Sequence, residues 1–118
     1  GGFVHTLGEM AVIKAMALPV IIIVFVDGAL GILRHQAEAM WGNDRYVRLE
    51  PIDFTTVANG FGIEAKKIEN TDDLKDAMAW AFKKDGPCLL SVAIDPEEVF
   101  PPLKSKIEQR KRDLMTKI

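Results

Sequence analysis

The chain has 118 residues, which is enough for one folded domain and too few for two of ordinary size. Hydrophobic residues make up 48% and charged residues 27%, a composition typical of folded proteins that excludes intrinsic disorder. The 15 basic and 17 acidic side chains leave a net charge of −2, so neither nucleic acid nor a membrane is expected as a partner. The one cysteine, Cys88, excludes a disulfide framework and favours a reducing, cytoplasmic location.

No targeting or membrane-spanning segment is predicted. The longest apolar run, Ala15 to Val26, has 12 residues and contains Pro19, whereas a membrane-spanning helix needs about 17–25 apolar residues. The first residues carry neither a basic region nor a small-residue cleavage site, so they are not expected to be a signal peptide. The first residue is glycine rather than methionine, which favours a fragment or a processed chain.

The first part of the chain predicts a helix, a strand and a second helix. Apolar residues on more than one side predict a helix from about His5 to Leu18, ended by Pro19. Val20 to Val26 is short, apolar and β-branched, which predicts a parallel strand covered on both faces. Asp27 to Gly31 breaks the apolar run, and a helix is predicted from Ile32 to Trp41.

A polar connector over residues 42–52 leads to a short helix and a strand. Asp53 is predicted to be the N-cap of this helix, which Gly60 and Gly62 end. Ile63 to Ile68 carries three charged side chains, which favours a strand at the edge of a sheet.

The second half of the chain predicts a further helix and strand. The helix opens at Asn70 or Thr71, and its apolar stripe consists of Leu74, Ala77, Met78, Ala81 and Phe82. Cys88 to Ile94 predicts a third strand, apolar on both faces apart from Ser91. This alternation of helix and strand predicts an α/β fold, a mostly parallel sheet flanked by helices.

The end of the chain, residues 103–118, is predicted to be a C-terminal helix or tail. From Lys104 to Ile118 it carries six basic and two acidic side chains, which favours a solvated segment. An alternative is a lid that includes Pro101 and Pro102.

Two features could hold a ligand. Asp27 follows the apolar strand at its carboxyl end, where ligands settle in open α/β sheets, and a carboxylate in a turn of small residues suits a hard cation. Gly1 and Gly2 precede the first predicted helix, where exposed amides favour a phosphate. Taken alone, Asp27-Gly28 is more simply interpreted as a turn, and the two glycines are a weak signal that also fits a flexible tail.

Together, these features resemble the cofactor motif of the thiamine diphosphate-dependent enzymes that decarboxylate or condense 2-oxo acids, such as acetolactate synthases and pyruvate decarboxylases. Gly1 matches the last glycine of a Gly-Asp-Gly triplet, and Asp27, 26 positions further on, matches the second asparagine of the motif's later turn. The flanking segments agree with the family in order and spacing: Leu7 to Ala11, Leu18 to Ile21, Gly31 to His35, Asp53-Phe54, Ala58 to Gly62 and Asp85 to Pro87. The resemblance covers nearly all of residues 1–118 and is closest to acetolactate synthase.

The resemblance implies a role for seven positions. Asp27 would bind Mg²⁺ through its side chain, and Ala29 would bind the same ion through its backbone carbonyl. The amides of Gly1 and Gly2 would contact the diphosphate of the cofactor. Apolar side chains would lie near the cofactor's rings and the substrate, namely Leu30 and Ile32 at the rings and Leu33 at the substrate.

The sequence also departs from the family pattern. Val26-Asp27 replaces the usual Asn-Asn; the aspartate is still an oxygen ligand, but it adds a negative charge near the diphosphate. The triplet's aspartate, the earlier strands and the pyrimidine-binding domain with the family's catalytic glutamate do not lie within residues 1–118. We therefore expect the chain to be the C-terminal part of a diphosphate-binding domain, inactive alone, in an enzyme that assembles as a homo-oligomer, a dimer or tetramer.

Other interpretations remain open. The chain could instead be a non-catalytic α/β binding or interaction module in which Asp27 only forms a turn. A flavodoxin-like domain is less favoured, because no strand precedes Gly1.

For single residues, His35 is expected on the surface and Cys88 in the core, whereas for His5 both the surface and the site remain open. Trp41 and Tyr46 are expected to be half-buried, with a lid or partner contact as the alternative.

Overall fold

The computed structural model describes residues 1–99 and 101–116. It contains a 3₁₀ helix, Gly2–Thr6, and the α-helices α1 (Glu9–Ala15), α2 (Gly31–Trp41), α3 (Phe54–Gly60), α4 (Asp72–Phe82) and α5 (Pro101–Met115). The strands are β1 (Ile21–Val26), β2 (Glu64–Ile68) and β3 (Cys88–Ala93). Two compact units are present: Gly1–Val26 with Ile52–Ile94, and Asp27–Pro51 with the described part of residues 95–118.

The first unit contains a three-stranded parallel sheet in the order β1-β3-β2. The side chains of β3 are buried from Cys88 to Ser91, because this strand pairs on both sides. Leu89 is in register with Ile22 on β1 and with Ala65 on β2. The predicted α/β fold with a parallel sheet is confirmed.

Helices cover both faces of this sheet. One face packs against α1, α3 and the 3₁₀ helix, and its buried residues are Met10, Val24, Phe54, Ala58, Ile63 and Leu89. The rings of Phe3 and Phe54 meet edge to face there, with centroids 5.5 Å apart. The other face packs against α4, and its buried residues are Ile68, Ala77, Ala81, Cys88 and Leu90. The prediction that Cys88 lies in the core is confirmed.

The first predicted helix is wrong in its extent. Instead of one helix from His5 to Leu18, a 3₁₀ helix ends at Thr6 and α1 runs only from Glu9 to Ala15. Gly8 lies between them as the N-cap of α1, and Ala17 has a φ of +48°, which a continuing helix does not allow. The short helix therefore ends before Pro19 can disturb it.

The strand predicted over Val20 to Val26 is present as β1, but the prediction that it is covered on both faces is wrong. It lies at an edge of the sheet, and its side chains alternate between buried and exposed. Val24 is 5% exposed, whereas Ile23 is 43% and Phe25 is 66% exposed. The reason is that α4 packs against β2 and β3. The prediction that β2 is an edge strand is confirmed.

The apolar stripe of α4 is confirmed only in part. Ala77 and Ala81 are buried and Met78 is half-buried, but Leu74 and Phe82 lie at the ends of the helix and are exposed. The contact of α4 with the sheet is therefore centred on its two small alanines, which pack with Ile68, Cys88 and Leu90.

The second unit pairs α2 with α5. Helix α2 ends at Trp41, and the following Gly42 has a φ of +68°, the left-handed geometry common after a helix. The C-terminal segment predicted over residues 103–118 as a helix or tail is helical from Pro101 to Met115, and its half-buried residues include Leu103 and Ile107. Residues 117 and 118 of this prediction lie outside the described residues. Throughout residues 1–99 and 101–116, every helix is too short or too polar to span a membrane.

Candidate functional site

Asp27 begins a tight turn that leads into α2. Its Oδ1 atom accepts a hydrogen bond from the Ala29 amide at 3.2 Å, and Gly28 has a φ of +70°, which glycine adopts without strain. The Asp27 side chain is half-buried, and Ala29 is 4% exposed. The carboxylate is therefore held at a defined place above the start of α2.

The connector after α2 holds this turn through its backbone. The Leu30 amide donates to the Val47 carbonyl at 3.0 Å, and the Leu49 amide donates to the Gly28 carbonyl at 3.1 Å. These two bonds flank an antiparallel bridge between Ala29 and Arg48. The turn is thus fixed by a segment about 20 residues away, which stabilises its shape beyond what a free loop provides.

Two oxygen atoms of the turn remain available as ligands. In the described part of the chain, neither Asp27 Oδ2 nor the Ala29 carbonyl oxygen accepts a hydrogen bond. One carboxylate oxygen and one backbone carbonyl are hard donors of the kind that Mg²⁺ binds in proteins. The turn therefore fits the magnesium ligands that the sequence implies.

The candidate ligands of this turn differ from those of an all-protein metal centre. Among residues 1–99 and 101–116, no cluster of three or more histidine, cysteine, aspartate or glutamate side chains could hold a metal ion. Mg²⁺ is commonly bound by one or two protein oxygens together with substrate phosphates and water. A turn that offers two oxygens suits an ion that is shared with a diphosphate.

Gly31 is a site residue that the sequence reasoning missed. A Cβ atom at this position would lie 2.5 Å from Asp27 Oδ2, closer than real Cβ contacts. Any larger residue would therefore push the carboxylate away from its present place. The signal in the sequence was the second glycine of Asp27-Gly28-Ala29-Leu30-Gly31, which a helix start does not require.

The apolar candidates lie at the beginning of α2. Leu30 is half-buried and is the N-cap residue, and the next turn exposes Ile32 and Leu33. With 11 residues, α2 presents its positive end to the same turn, which favours a bound anion. The structure therefore brings together five of the seven predicted site residues: Asp27, Ala29, Leu30, Ile32 and Leu33.

The two remaining candidates belong to the first unit. Gly1 and Gly2 are exposed, and Gly1 is the N-cap of the 3₁₀ helix that begins at Gly2. A Cβ atom at Gly2 would meet no other atom within 4 Å, so its surroundings are open. Open backbone next to a helix start is consistent with the phosphate contacts that the sequence implies.

Most of the other candidates have ordinary environments. Cys88 is fully buried, and burial raises the pKa of its thiol, which keeps it protonated and unreactive. His5 is exposed, whereas His35 on α2 is half-buried rather than fully on the surface. The expectation that Trp41 and Tyr46 are half-buried is wrong: they are 67% and 88% exposed and line an open groove of about 420 Å³.

Comparison with known proteins places the whole arrangement in a family. Residues 1–92 match the family described as thiamine pyrophosphate enzyme, C-terminal TPP binding domain, where thiamine pyrophosphate is another name for thiamine diphosphate. The chain is similar to a probable acetolactate synthase large subunit of Methanocaldococcus jannaschii, with 32% identity over 86% of the chain and 17% of the relative. A probable acetolactate synthase large subunit of Methanococcus aeolicus is 31% identical over 81% of the chain and 16% of the relative.

A third relative extends the similarity to a bacterium. The acetolactate synthase isozyme 2 large subunit of Escherichia coli is 31% identical over 86% of the chain and 19% of the relative. The chain thus spans less than a fifth of the length of each of these relatives. The α/β fold, the Asp27 turn and the match over residues 1–92 lead to one conclusion: the chain belongs to the thiamine pyrophosphate enzyme family, within its C-terminal cofactor-binding domain.

Proposed function

We propose that the chain binds Mg²⁺ and the diphosphate of thiamine diphosphate in an enzyme that decarboxylates and condenses 2-oxo acids, as an acetolactate synthase does. The observation that carries this proposal is the pair of available oxygens at Asp27 and Ala29, in a turn that backbone hydrogen bonds hold in place. The family match over residues 1–92 supports the choice of cofactor.

Each site residue has a physical role in this proposal. The Asp27 carboxylate and the Ala29 carbonyl bind Mg²⁺, whose charge offsets that of the diphosphate. The amides of Gly1 and Gly2 donate hydrogen bonds to the phosphate oxygens. Two apolar side chains, Leu30 and Ile32, contact the rings of the cofactor, and Leu33 contacts the substrate.

The chemistry divides between cofactor and protein. When bound, thiamine diphosphate supplies a carbon nucleophile and an electron sink for the decarboxylation of a 2-oxo acid. The chain orients that group through its diphosphate, and Ile32 and Leu33, which are exposed at the start of α2, exclude water from the reacting carbon.

The proposal extends to the enzyme as a whole. Because the chain covers less than a fifth of its relatives, the residues that complete catalysis belong to other parts of the protein or to a second subunit. We accordingly expect the 118 residues alone to be inactive, and we expect the enzyme to be a homo-oligomer, a dimer or tetramer. Its substrate is a small 2-oxo acid such as pyruvate, and the buried, unpaired Cys88 supports a cytoplasmic location.

Calorimetry on the full enzyme tests the metal ligand. With thiamine diphosphate and Mg²⁺ as probes, Asp27→Ala should weaken Mg²⁺-dependent binding at least about tenfold, since even residues that only support metal ligands have effects of this size. Asp85→Ala is the matched control, because Asp85 is exposed in the turn before β3, and its affinity should equal that of the wild type. Unchanged affinity in Asp27→Ala would remove the proposed site.

One observation favours a second candidate, a non-catalytic interaction module. The edge strand β1 exposes Ile23 and Phe25, and such an edge invites pairing with another chain. This candidate requires that the full protein associates through β1 and does not bind thiamine diphosphate at millimolar Mg²⁺. Binding of the cofactor would decide against it.

A further inference from the structure

A cluster of five charged side chains lies in the second unit, next to the candidate site in the sequence. Its centre is Arg34 in the first turn of α2, whose side chain is only 12% exposed. The other members are two carboxylates of the unit's loops, Asp44 and Glu97, together with Glu38 and Arg48. None of these residues has a role in the function proposed above.

The Arg34 guanidinium binds three separate segments at once. Its Nε lies 3.3 Å from Glu38 Oε1 on the same helix and 3.4 Å from Asp44 Oδ2 in the connector. Its terminal nitrogens donate to the Pro96 carbonyl, at 3.2 Å, and to the Glu97 carboxylate, which lies 63 residues away in the chain. Arg34 thereby ties the first turn of α2 to the segment that leads from β3 to α5.

Asp44 makes this tie costly to break. It is 8% exposed, and its Oδ1 accepts a hydrogen bond from Arg48 Nε at 2.9 Å, which lowers the pKa of the Asp44 carboxyl. Its buried Oδ2 accepts no hydrogen bond in the described structure, so the nearby Arg34 guanidinium is what compensates its charge there. Removing Arg34 would leave the buried Asp44 carboxylate with Arg48 as its one remaining cationic partner in the described structure. A lysine at position 34 has a single ammonium group, which could not reach all the groups that the planar guanidinium of Arg34 binds.

The contacts of Arg34 matter because two candidate site residues lie next to it in the chain. Ile32 and Leu33 directly precede Arg34 and are 55% and 46% exposed, so little packing of their own fixes their place. Their position follows the backbone of the first turn of α2, which Arg34 anchors. We propose that Arg34 is a positioning residue: by holding the first turn of α2 against the Pro96–Glu97 segment, it places Ile32 and Leu33 for cofactor and substrate. This inference rests on the proposed function.

Hydrogen exchange in the full protein tests the anchoring without any activity. In Arg34→Lys, amides of residues 30–38 should exchange at least about fivefold faster than in the wild type, because local opening of the turn becomes easier. Arg45→Lys is the matched control, since Arg45 is exposed in the connector and has no ion pair within the described residues. Equal exchange in Arg34→Lys and the wild type would overturn the inference.

Kinetics with pyruvate test the consequence for the site. Misplaced contacts in Arg34→Lys should raise KM about fivefold or more while kcat changes less than about twofold, whereas simple loss of folded enzyme lowers kcat at constant KM. The second pattern would overturn the positioning role. Should Arg34→Lys not fold, Glu97→Ala replaces it, with Glu98→Ala as control, because both carboxylates are exposed and only Glu97 binds Arg34.

The two proposals fail in different ways. A wild-type protein that binds no thiamine diphosphate overturns the proposed function and, with it, the role of Arg34 toward the substrate. Normal cofactor binding together with an unchanged KM in both Arg34→Lys and Glu97→Ala overturns the positioning role alone.

Discussion

The place of the Asp27 side chain depends on two glycines that follow it, Gly28 and Gly31. Gly28 supplies the left-handed backbone that brings the Ala29 amide to the carboxylate. Gly31 leaves the space that Oδ2 occupies above α2. Asp27 could be predicted as a candidate ligand from its place after an apolar strand. The close approach of Gly31 to Asp27 Oδ2 could not be predicted, because it is a distance in three dimensions that no spacing rule contains.

Gly31→Ala tests this residue-scale account. The added Cβ displaces only the end of a flexible side chain, so the folded protein should keep its Tm or gain slightly, since alanine favours a helix over glycine. Mg²⁺-dependent binding of thiamine diphosphate, measured by calorimetry, should nevertheless weaken several-fold, because the carboxylate has moved. Gly8→Ala, at a position with open space around it, is the control and should bind normally; wild-type affinity in Gly31→Ala would contradict the account.

Single elements show what a sequence can specify locally. The N-cap of α3 was predicted and is confirmed: Asp53 accepts hydrogen bonds from the amides of Thr55 at 3.0 Å and Thr56 at 3.3 Å. The hydroxyl groups of both threonines also donate to the carboxylate, and these bonds lower the pKa of Asp53 to about 2. A cap of this kind involves residues within one turn, so the local pattern was sufficient.

The lowered pKa of Asp53 gives a pH dependence with a definite sign. Because the folded pKa lies below the usual 3.8, the cap stabilises the protein fully above about pH 4, and this contribution is lost as the pH falls toward about 2. Thermal melts of the wild type and of Asp53→Asn should therefore differ most at pH 5 and converge toward pH 2. A difference in Tm that is constant or grows on acidification would contradict the assignment of this cap.

The order of the strands could not be predicted in the same way. All three strands were found, but β1 and β3 are both apolar, and nothing in their composition indicates that β3 lies in the centre and β1 at an edge. That order depends on pairings such as Ile22 with Leu89, between residues far apart in the chain. Because burial depends on this order, the prediction that β1 is covered on both faces was wrong. The edge position of β2 was predicted from its charged side chains, and the strand order confirms it.

The strand order predicts that truncating two large side chains, Leu89 and Phe25, lowers the free energy of unfolding by unequal amounts. Leu89→Ala in the central strand should lower the free energy of unfolding by about 2–5 kcal/mol, because Leu89 is fully buried. Phe25→Ala at the edge should cost about 0.5 kcal/mol or less in the 118-residue chain, since that side chain is 66% exposed. Urea denaturation of both variants measures the difference, and equal costs would contradict this sheet order.

At the scale of the whole chain, the alternation of helices and strands predicted the fold class, and the family resemblance predicted the cofactor-binding domain. The division into two units was not predicted, because it brings together residues 27–51 and the described part of residues 95–118 through contacts such as Arg34 with Glu97. The candidate ligands were proposed from a motif, and they remain a prediction. The connector that holds the turn through Val47 and Leu49 was not predicted, because it acts between residues about 20 positions apart.

The central claim is that Asp27 and Ala29 bind the metal ion that carries the diphosphate. A crystal structure of the full enzyme with thiamine diphosphate and Mn²⁺ in place of Mg²⁺, with the ion located by its anomalous scattering, tests this directly. We predict an ion within about 2.0–2.3 Å of an Asp27 carboxylate oxygen and of the Ala29 carbonyl oxygen, and bridged to the diphosphate. An ion bound to the diphosphate with Asp27 turned away, or a diphosphate bound elsewhere in the protein, would contradict the claim.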